Sequence, residues 1–304
     1  MEDLIIIGGG PAGLTAGLYA ARSRLKTLLM ERLSPGGQVL LTDTVENYPG
    51  FPEGISGFEL MDRMRRQAEN FGLEVQSRDI IQLLLSPDKK EVVTDKGRLE
   101  TRSLILTMGA TPRKLAIDGE KRLTGKGVSY CATCDGPFYR DREVVVIGGG
   151  DTAVEEALYL TRFAKKVHLV HRRDELRAAR LLQERAFAQE KITIVWDTIP
   201  TRVLGNTGVE AIELKNVKSG DVSRLEVDGV FVFIGYNPNN ELVKGLLELD
   251  SAGFVTTDND MQTSVPGVFA AGDIRSKLLR QISTAVGEGA TAAFAAERYL
   301  ENMT

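Results

Sequence analysis

Cysteine, histidine and tryptophan are nearly missing from this chain: two, two and one in 304 residues. So few cysteines exclude a disulfide-stapled scaffold. One Cys pair with only His168 and His171 as imidazoles falls short of the usual ligand set of a structural zinc site, so no metal site is expected. No apolar run reaches the length of a membrane span. The start, Met1-Glu2-Asp3 running straight into Leu4-Ile5-Ile6-Ile7, lacks the basic segment, longer apolar stretch and cleavage site of a signal peptide, so a cytoplasmic location is expected. Excess positive charge is absent too. A net charge of −4 provides no general attraction for nucleic acid or an anionic membrane.

What is present is ordinary in amount and unusual in arrangement. The length suits about two domains. The only cysteines stand as Cys131-Ala132-Thr133-Cys134, a spacing that two randomly placed cysteines would show roughly 0.7% of the time. A redox-active dithiol is the reading this favours; a zinc-bound pair and a structural disulfide are the alternatives.

The chain also repeats itself at a shift of 140 residues. Leu4-Ile5-Ile6-Ile7-Gly8-Gly9-Gly10 matches Val144-Val145-Val146-Ile147-Gly148-Gly149-Gly150, and Lys26 to Met30 match Lys166 to Val170. Each copy reads strand, Gly-rich turn, amphipathic helix, strand, which opens a Rossmann unit. In the first copy Gly8 permits the tight turn, Gly10 lets backbone approach a pyrophosphate, and Gly13 allows close helix packing. The helix N-terminus at Pro11-Ala12 presents unpaired N–H groups to phosphate. Glu31, ending the next strand, is placed to accept hydrogen bonds from a ribose diol and would repel a 2′-phosphate.

The second copy departs in two places. Ala153 replaces the third glycine after Asp151-Thr152, a tolerated change. His171-Arg172-Arg173 replaces the acid, and Arg177 is expected one helical turn beyond Arg173. Guanidinium forks suit a 2′-phosphate, so NADPH is favoured over NADH. The alternative is a solvated basic helix start.

The fold class is therefore α/β, with two Rossmann-like dinucleotide-binding domains. Strand runs end at glycine in Leu104 to Gly109 and Val230 to Gly235, and hairpin turns are expected at Ser86 to Lys90 and Val217 to Asp221. The second domain (115–244) is expected to be inserted into the first (1–114 and 245–304). His168, in an alternating strand, reads as a structural imidazole, Trp196 as packing, and Met61 to Arg66 as an amphipathic helix.

With these motifs in this order, the chain resembles the bacterial-type, low-molecular-weight thioredoxin reductases. The resemblance rests on Gly8-Gly9-Gly10-Pro11-Ala12-Gly13, Cys131-Ala132-Thr133-Cys134-Asp135-Gly136, Gly148-Gly149-Gly150-Asp151-Thr152-Ala153, His171-Arg172-Arg173-Asp174 and Gly267-Val268-Phe269-Ala270-Ala271-Gly272-Asp273. It covers essentially the whole chain. It implies FAD in the split domain and NADPH in the inserted one, thioredoxin as the protein partner, and a homodimer. It adds Arg32, Gly36-Gly37-Gln38, Asn47, Gly109, Gly272, Asp273 and Arg280-Gln281-Ile282 as flavin-site residues; from the residues alone, Asp273 could equally be an N-cap or turn acid. It also implies that Cys131 attacks the partner disulfide, that Cys134 lies against the flavin, and that Asp135 handles the proton, although Asp135 alone would read as a turn residue.

A dithiol that must meet both a flavin and a bulky protein needs a domain rotation, with hinges near Pro112-Arg113-Lys114 and Gly235-Tyr236-Asn237-Pro238. Rival readings are a small-molecule disulfide reductase or dithiol oxidase on the same scaffold, and a non-enzymatic flavin-binding protein with a vestigial dithiol.

Overall fold

A computed structural model of the chain describes residues 1–42, 44–86 and 89–303. The chain divides into two units, Met1–Thr111 with Asn237–Thr304, and Pro112–Tyr236.

In the first unit, four strands run parallel, in the order Glu74–Ser77, Thr27–Glu31, Glu2–Ile7 and Gly97–Leu106. The last of these is long enough to serve two partners on its far side. Its first half pairs antiparallel with Lys90–Thr94, which continues to Ile80–Leu85, and its second half pairs parallel with Val268–Ala270. Leu4, Ile5, Ile6, Leu104 and Ile105 have no exposed surface. A continuous apolar run is what a parallel strand covered on both faces requires.

The second unit repeats this plan. Its five-stranded sheet is parallel throughout, in the order Ile192–Val195, Lys166–Val170, Glu143–Gly148, Gly229–Phe233 and Val128–Ser129. An antiparallel triplet, Thr198–Leu204, Ala211–Asn216 and Val222–Glu226, follows. The 140-residue repeat appears as register: Ile7 pairs with Met30, and Ile147 with Val170. His168 is buried with Nε2 3.3 Å from Glu143 Oε2, and Trp196 packs against Phe187. The turn after Asn216 is closed by its Oδ1, which accepts the Lys218 and Ser219 N–H groups. Pro87 and Asp88, within the other expected hairpin turn, lie outside the described residues.

The chain crosses between units along Ala110–Pro112 and Tyr236–Pro238, which run as a two-stranded ribbon. The second crossing falls earlier than the 244/245 boundary expected from sequence. The reason is packing: Val243 and Leu247 are buried in the first unit's core with Ile5 and Leu104, and Asn239 donates from its backbone to Gly109 O.

In the first unit, the fingerprint helix Pro11–Arg22 packs on the C-terminal helix Ile282–Glu301. A Cβ on Gly289 would fall 2.2 Å from the Ala12 carbonyl oxygen, whereas one on Gly287, two residues away, would meet nothing within 4 Å. Gly289→Ala is therefore expected to lose about 1–3 kcal/mol through forced separation of the helices. Gly287→Ala is expected to gain about 0.5–1 kcal/mol from lower unfolded-state entropy. Urea unfolding of the two variants reads this difference in sign directly.

Candidate functional site

Both nucleotide turns are built by the same contacts. Gly8 has φ +106, and a Cβ there would stand 2.5 Å from Thr107 O; at Gly148 it would stand 2.5 Å from Phe233 O. The first glycine of each turn is thus pressed against the neighbouring parallel strand's end. Gly10 and Gly150 would meet nothing within 4 Å, so each turn is closed on its sheet side and open beyond its helix N-terminus. An anion can reach backbone N–H groups there.

The middle glycines, Gly9 and Gly149, carry a role that sequence reasoning did not assign. In each copy they support the residue ending the second strand. Glu31 accepts from the Gly9 N–H (2.8 Å) through Oε2 and from the Leu33 N–H (3.0 Å) through Oε1. His171 occupies the matching place, and its Nδ1 lies 2.2 Å from where a Gly149 Cβ would be. Identical glycines in both copies were the available signal.

Of the flavin-site residues expected from the resemblance, Gly36 and Gly37 adjoin the first turn. Gly36 donates to Gly9 O (2.7 Å), and a Cβ on Gly37 would stand 3.4 Å from Gly10 Cα. Gln38 lies in the short helix Gly37–Leu41, and Asn47 Nδ2 donates to Gln281 Oε1 (3.1 Å). Gly109, at φ +69, is open on its Cβ side. Arg280 stacks over Phe254 at 4.0 Å, Gln281 caps the C-terminal helix that begins at Ile282, and Arg32 is exposed.

Asp273 lies inside the turn Gly272–Ile274 rather than at a helix cap. Burial pushes its carboxyl up, against the pull of Lys277, whose Nζ lies 3.2 Å from Oδ1. Behind it, Glu288 accepts from the Gly272 N–H (2.7 Å) and pairs with Arg275 (3.0 Å) and Lys277 (3.3 Å). Glu288 sits mid-helix with no motif around it, which is why sequence reasoning missed it.

In the second unit, the segment after Val170 corrects one expectation. Residues 171–179 are not helical, and the next helix begins at Arg180. A hydrogen bond from Arg177 N to Gly149 O (2.7 Å), rather than helical spacing, brings Arg177 to the turn. Thr198 N, bonded to His171 O, and Asp197 N, bonded to Arg173 O, tie this segment to residues 197–198. Arg172, Arg173 and Arg177 are exposed and make no ion pair with a carboxylate among the described residues. Asp174 is instead drawn to Lys218 (2.8 Å). Burial pushes the His171 imidazole down, against a backbone hydrogen bond to Gly148 that pulls it up, and the three arginines add to the downward push. Its Nε2 is buried without a hydrogen-bond partner among the described residues. Asp151 Oδ1 accepts from Ala179 N (2.7 Å), while Thr152 is exposed and Ala153 buried.

Cys131 and Cys134 are joined as a disulfide, with Cα atoms 5.3 Å apart. Cys131 caps the short helix Ala132–Asp135: its Sγ accepts from Cys134 N (3.2 Å) and lies 3.3 Å from Thr133 Oγ1. Ser129 Oγ brackets the Cys131 backbone, accepting its N–H and donating to its carbonyl. Asp135 lies one turn on, its N–H on Cys131 O (3.1 Å). Burial and then the Asp135 charge push the Tyr139 phenol up to about 12. Beside Thr133 lies a groove of about 360 Å³, lined also by Glu155, Glu156, Tyr159, Arg162 and Arg185.

With this geometry in view, the comparisons with known proteins are direct. The chain belongs to the pyridine nucleotide-disulphide oxidoreductase family, whose model matches residues 2–289. Within it the likeness is to thioredoxin reductases. Those of Peptoclostridium litorale and Mycolicibacterium smegmatis are each 50% identical, over 99% of this chain and 98% and 97% of theirs. A Streptococcus pyogenes thioredoxin reductase structure is 48% identical, with TM-score 0.95 and 99% of each chain covered. A Lactococcus lactis one, described as an FR conformation, is 46% identical with TM-score 0.69, covering 99% of this chain and 100% of that one.

Glu156 supplies a pH test of the groove. Burial, then the neighbouring Glu155, push its carboxyl up to about 7, and Oε2 has no hydrogen-bond partner among the described residues. Between the ordinary carboxylate value and about 7, the folded state keeps a proton that the unfolded chain has lost. Stability therefore falls as pH rises through that window. Glu156→Gln is expected to be more stable than wild type at pH 8 by about 1–3 kcal/mol, with the gap closing toward pH 4.5. Chemical denaturation at both pH values checks it.

Proposed function

We propose that this chain is an NADPH-dependent thioredoxin reductase that carries electrons through FAD to the Cys131–Cys134 pair and on to a thioredoxin disulfide. The observation that carries the reading is the placement of that disulfide. It caps a short helix in the same unit as an open nucleotide turn edged by three unpaired arginines, in a chain half identical over its full length to thioredoxin reductases.

The residues fit both cofactors. Gly10, beside Gly37, would admit a pyrophosphate in the first unit, with Glu31 at the ribose and Asp273, Asn47 and Gln281 around the remainder. In the second unit Gly150 would admit the nicotinamide dinucleotide, and Arg172, Arg173 and Arg177 would take its 2′-phosphate. FAD, when bound, supplies the relay between a hydride donor and a dithiol. Once the pair is reduced, the Cys131 thiolate attacks one sulfur of the partner disulfide. That bond breaks, the partner's second sulfur leaves as a thiolate, and a mixed disulfide remains. Cys134 then attacks Cys131 Sγ, re-forming the internal disulfide and releasing the partner's first sulfur. Asp135, one turn from Cys131, exchanges the protons.

Rotation of Pro112–Tyr236 between half-reactions is part of this reading. Two relatives of nearly equal identity and coverage score 0.95 and 0.69, a spread that divergence in sequence does not explain. Reorientation of two intact units about two crossings would. The reading includes a cytoplasmic homodimer; among the described residues, no helix is long and apolar enough to cross a membrane. A small-molecule disulfide reductase remains the rival.

Cys131→Ser is expected to abolish NADPH-dependent reduction of thioredoxin while NADPH still bleaches the bound flavin. Arg172→Ala with Arg173→Ala is expected to raise the KM for NADPH about 10-fold or more and leave that for NADH nearly unchanged. A wild-type protein whose reduction of a chromogenic disulfide is not stimulated by thioredoxin would sink the reading in favour of the rival.

A further inference from the structure

The residue preceding the first cysteine is held from the second chain crossing and from the segment that follows the first. Tyr130 O–H donates to Glu120 Oε1 at 2.8 Å. Glu120 is 3% exposed, and its other partners are the backbone N–H groups of Leu115 (to Oε1) and Ala116 (to Oε2), each at 2.8 Å. A buried carboxylate holds its donors firmly, because losing one leaves a desolvated charge undersatisfied. Ala116 stands at φ +59, an uncommon conformation for a residue with a Cβ, and the bond to Oε2 fixes its amide there. Lys114 Nζ lies 4.0 Å above the Tyr130 ring. From the other crossing, Tyr236 O–H donates to the Tyr130 carbonyl at 3.1 Å. Ser129 Oγ then brackets the next peptide on both sides of Cys131.

Residues 114–116 open this unit and Tyr236 closes it, and between them stand over a hundred residues of sheet and helix. They converge on one residue, and that residue adjoins the cysteine assigned to attack the partner. None of these contacts is needed to form the nucleotide turn. All of them control where the Tyr130–Cys131 peptide, and hence Sγ of Cys131, is placed.

We propose that Tyr130 is a positioning residue for Cys131, clamped by Glu120, which is bonded to the stretch that follows one crossing, and by Tyr236 on the other, so that the attacking sulfur keeps its aim when the unit reorients about those crossings. The proposal rests on the reading of Cys131 as the exchanging thiol. Thiol–disulfide exchange needs the three sulfurs nearly in line, and small misplacement of a reacting atom is costly in rate. Loss of either clamp should therefore slow exchange while leaving hydride entry unaffected, since the nucleotide turns lie elsewhere in the fold.

The test uses the full-length holoenzyme, reduced by NADPH, with single-turnover exchange followed against both thioredoxin and the small disulfide 5,5′-dithiobis(2-nitrobenzoate). Tyr130→Phe keeps the ring beneath Lys114 and removes the hydroxyl that donates to Glu120, while Tyr236→Phe removes the hydroxyl that makes the second clamp. Each is expected to slow exchange by about 3–10-fold with NADPH-driven flavin bleaching unchanged. Because both clamps act on one residue, the double variant is expected to be within about twofold of the slower single one. Val167→Ala, which loosens the unit's other core cluster, one that Tyr130 does not join, is expected to lower the melting temperature and leave exchange at the wild-type rate.

The proposal is overturned if exchange is unchanged in both single variants, if their effects multiply, or if Val167→Ala slows exchange as much. Failure of the wild type on thioredoxin with normal reaction toward the small disulfide would instead fault the assigned protein substrate, and the clamp would still be read from the small disulfide.

Discussion

The close approach of a glycine to the end of a neighbouring parallel strand is the constraint on which the two nucleotide sites depend. Gly8 against Thr107 O and Gly148 against Phe233 O leave no room for a Cβ, so the chain turns sharply and the following helix starts with its N–H groups exposed. Neither carbonyl belongs to the turn. Each is delivered by a strand that pairs only after a long excursion, so the anion site exists only when the sheet does. Burial of the apolar strands is what forms those pairings, and the site is their by-product.

From that shared base the two units diverge through one position. The residue ending the second strand leans on the middle glycine in each. Glu31 brings a carboxylate that locks the turn through two backbone N–H groups. His171 brings an imidazole that fills the matching space against Gly149. Removing the acid lets the three arginines beyond it set the local field, with Asp174 diverted to Lys218. One scaffold thereby offers two turns of opposite electrostatic character, suited to an unphosphorylated ribose on one side and a 2′-phosphate on the other.

The dithiol lies outside this duplicated plan. It lies where the second unit has a strand and a short capped helix ahead of its fingerprint, and local hydrogen bonds surround it. Cys131 Sγ as a cap acceptor, Ser129 around its peptide, and the Glu120–Tyr130 contact fix it to the ends of the unit. That arrangement ties the reactive pair to the crossings, the places about which a two-unit chain of this kind can reorient.

Much of this was readable from residues alone. Period, glycine spacing and the 140-residue repeat determined two Rossmann-like units, their nucleotide turns, and the acid-for-arginine difference, because these are set by neighbours within a few residues. The rare pair of cysteines, by its spacing, favoured a redox dithiol over a zinc-bound pair or a structural disulfide. Tertiary structure decided the rest. Val243 and Leu247 joined the first core, moving the second crossing earlier than composition suggested. Arg177 reached its turn through a backbone bond to Gly149 and not through a helix. Glu120 and Glu288 had no motif to mark them, since their importance lies in buried donors brought from distant segments. A carboxylate's role depends on which N–H groups surround it, and only the folded chain brings those groups together.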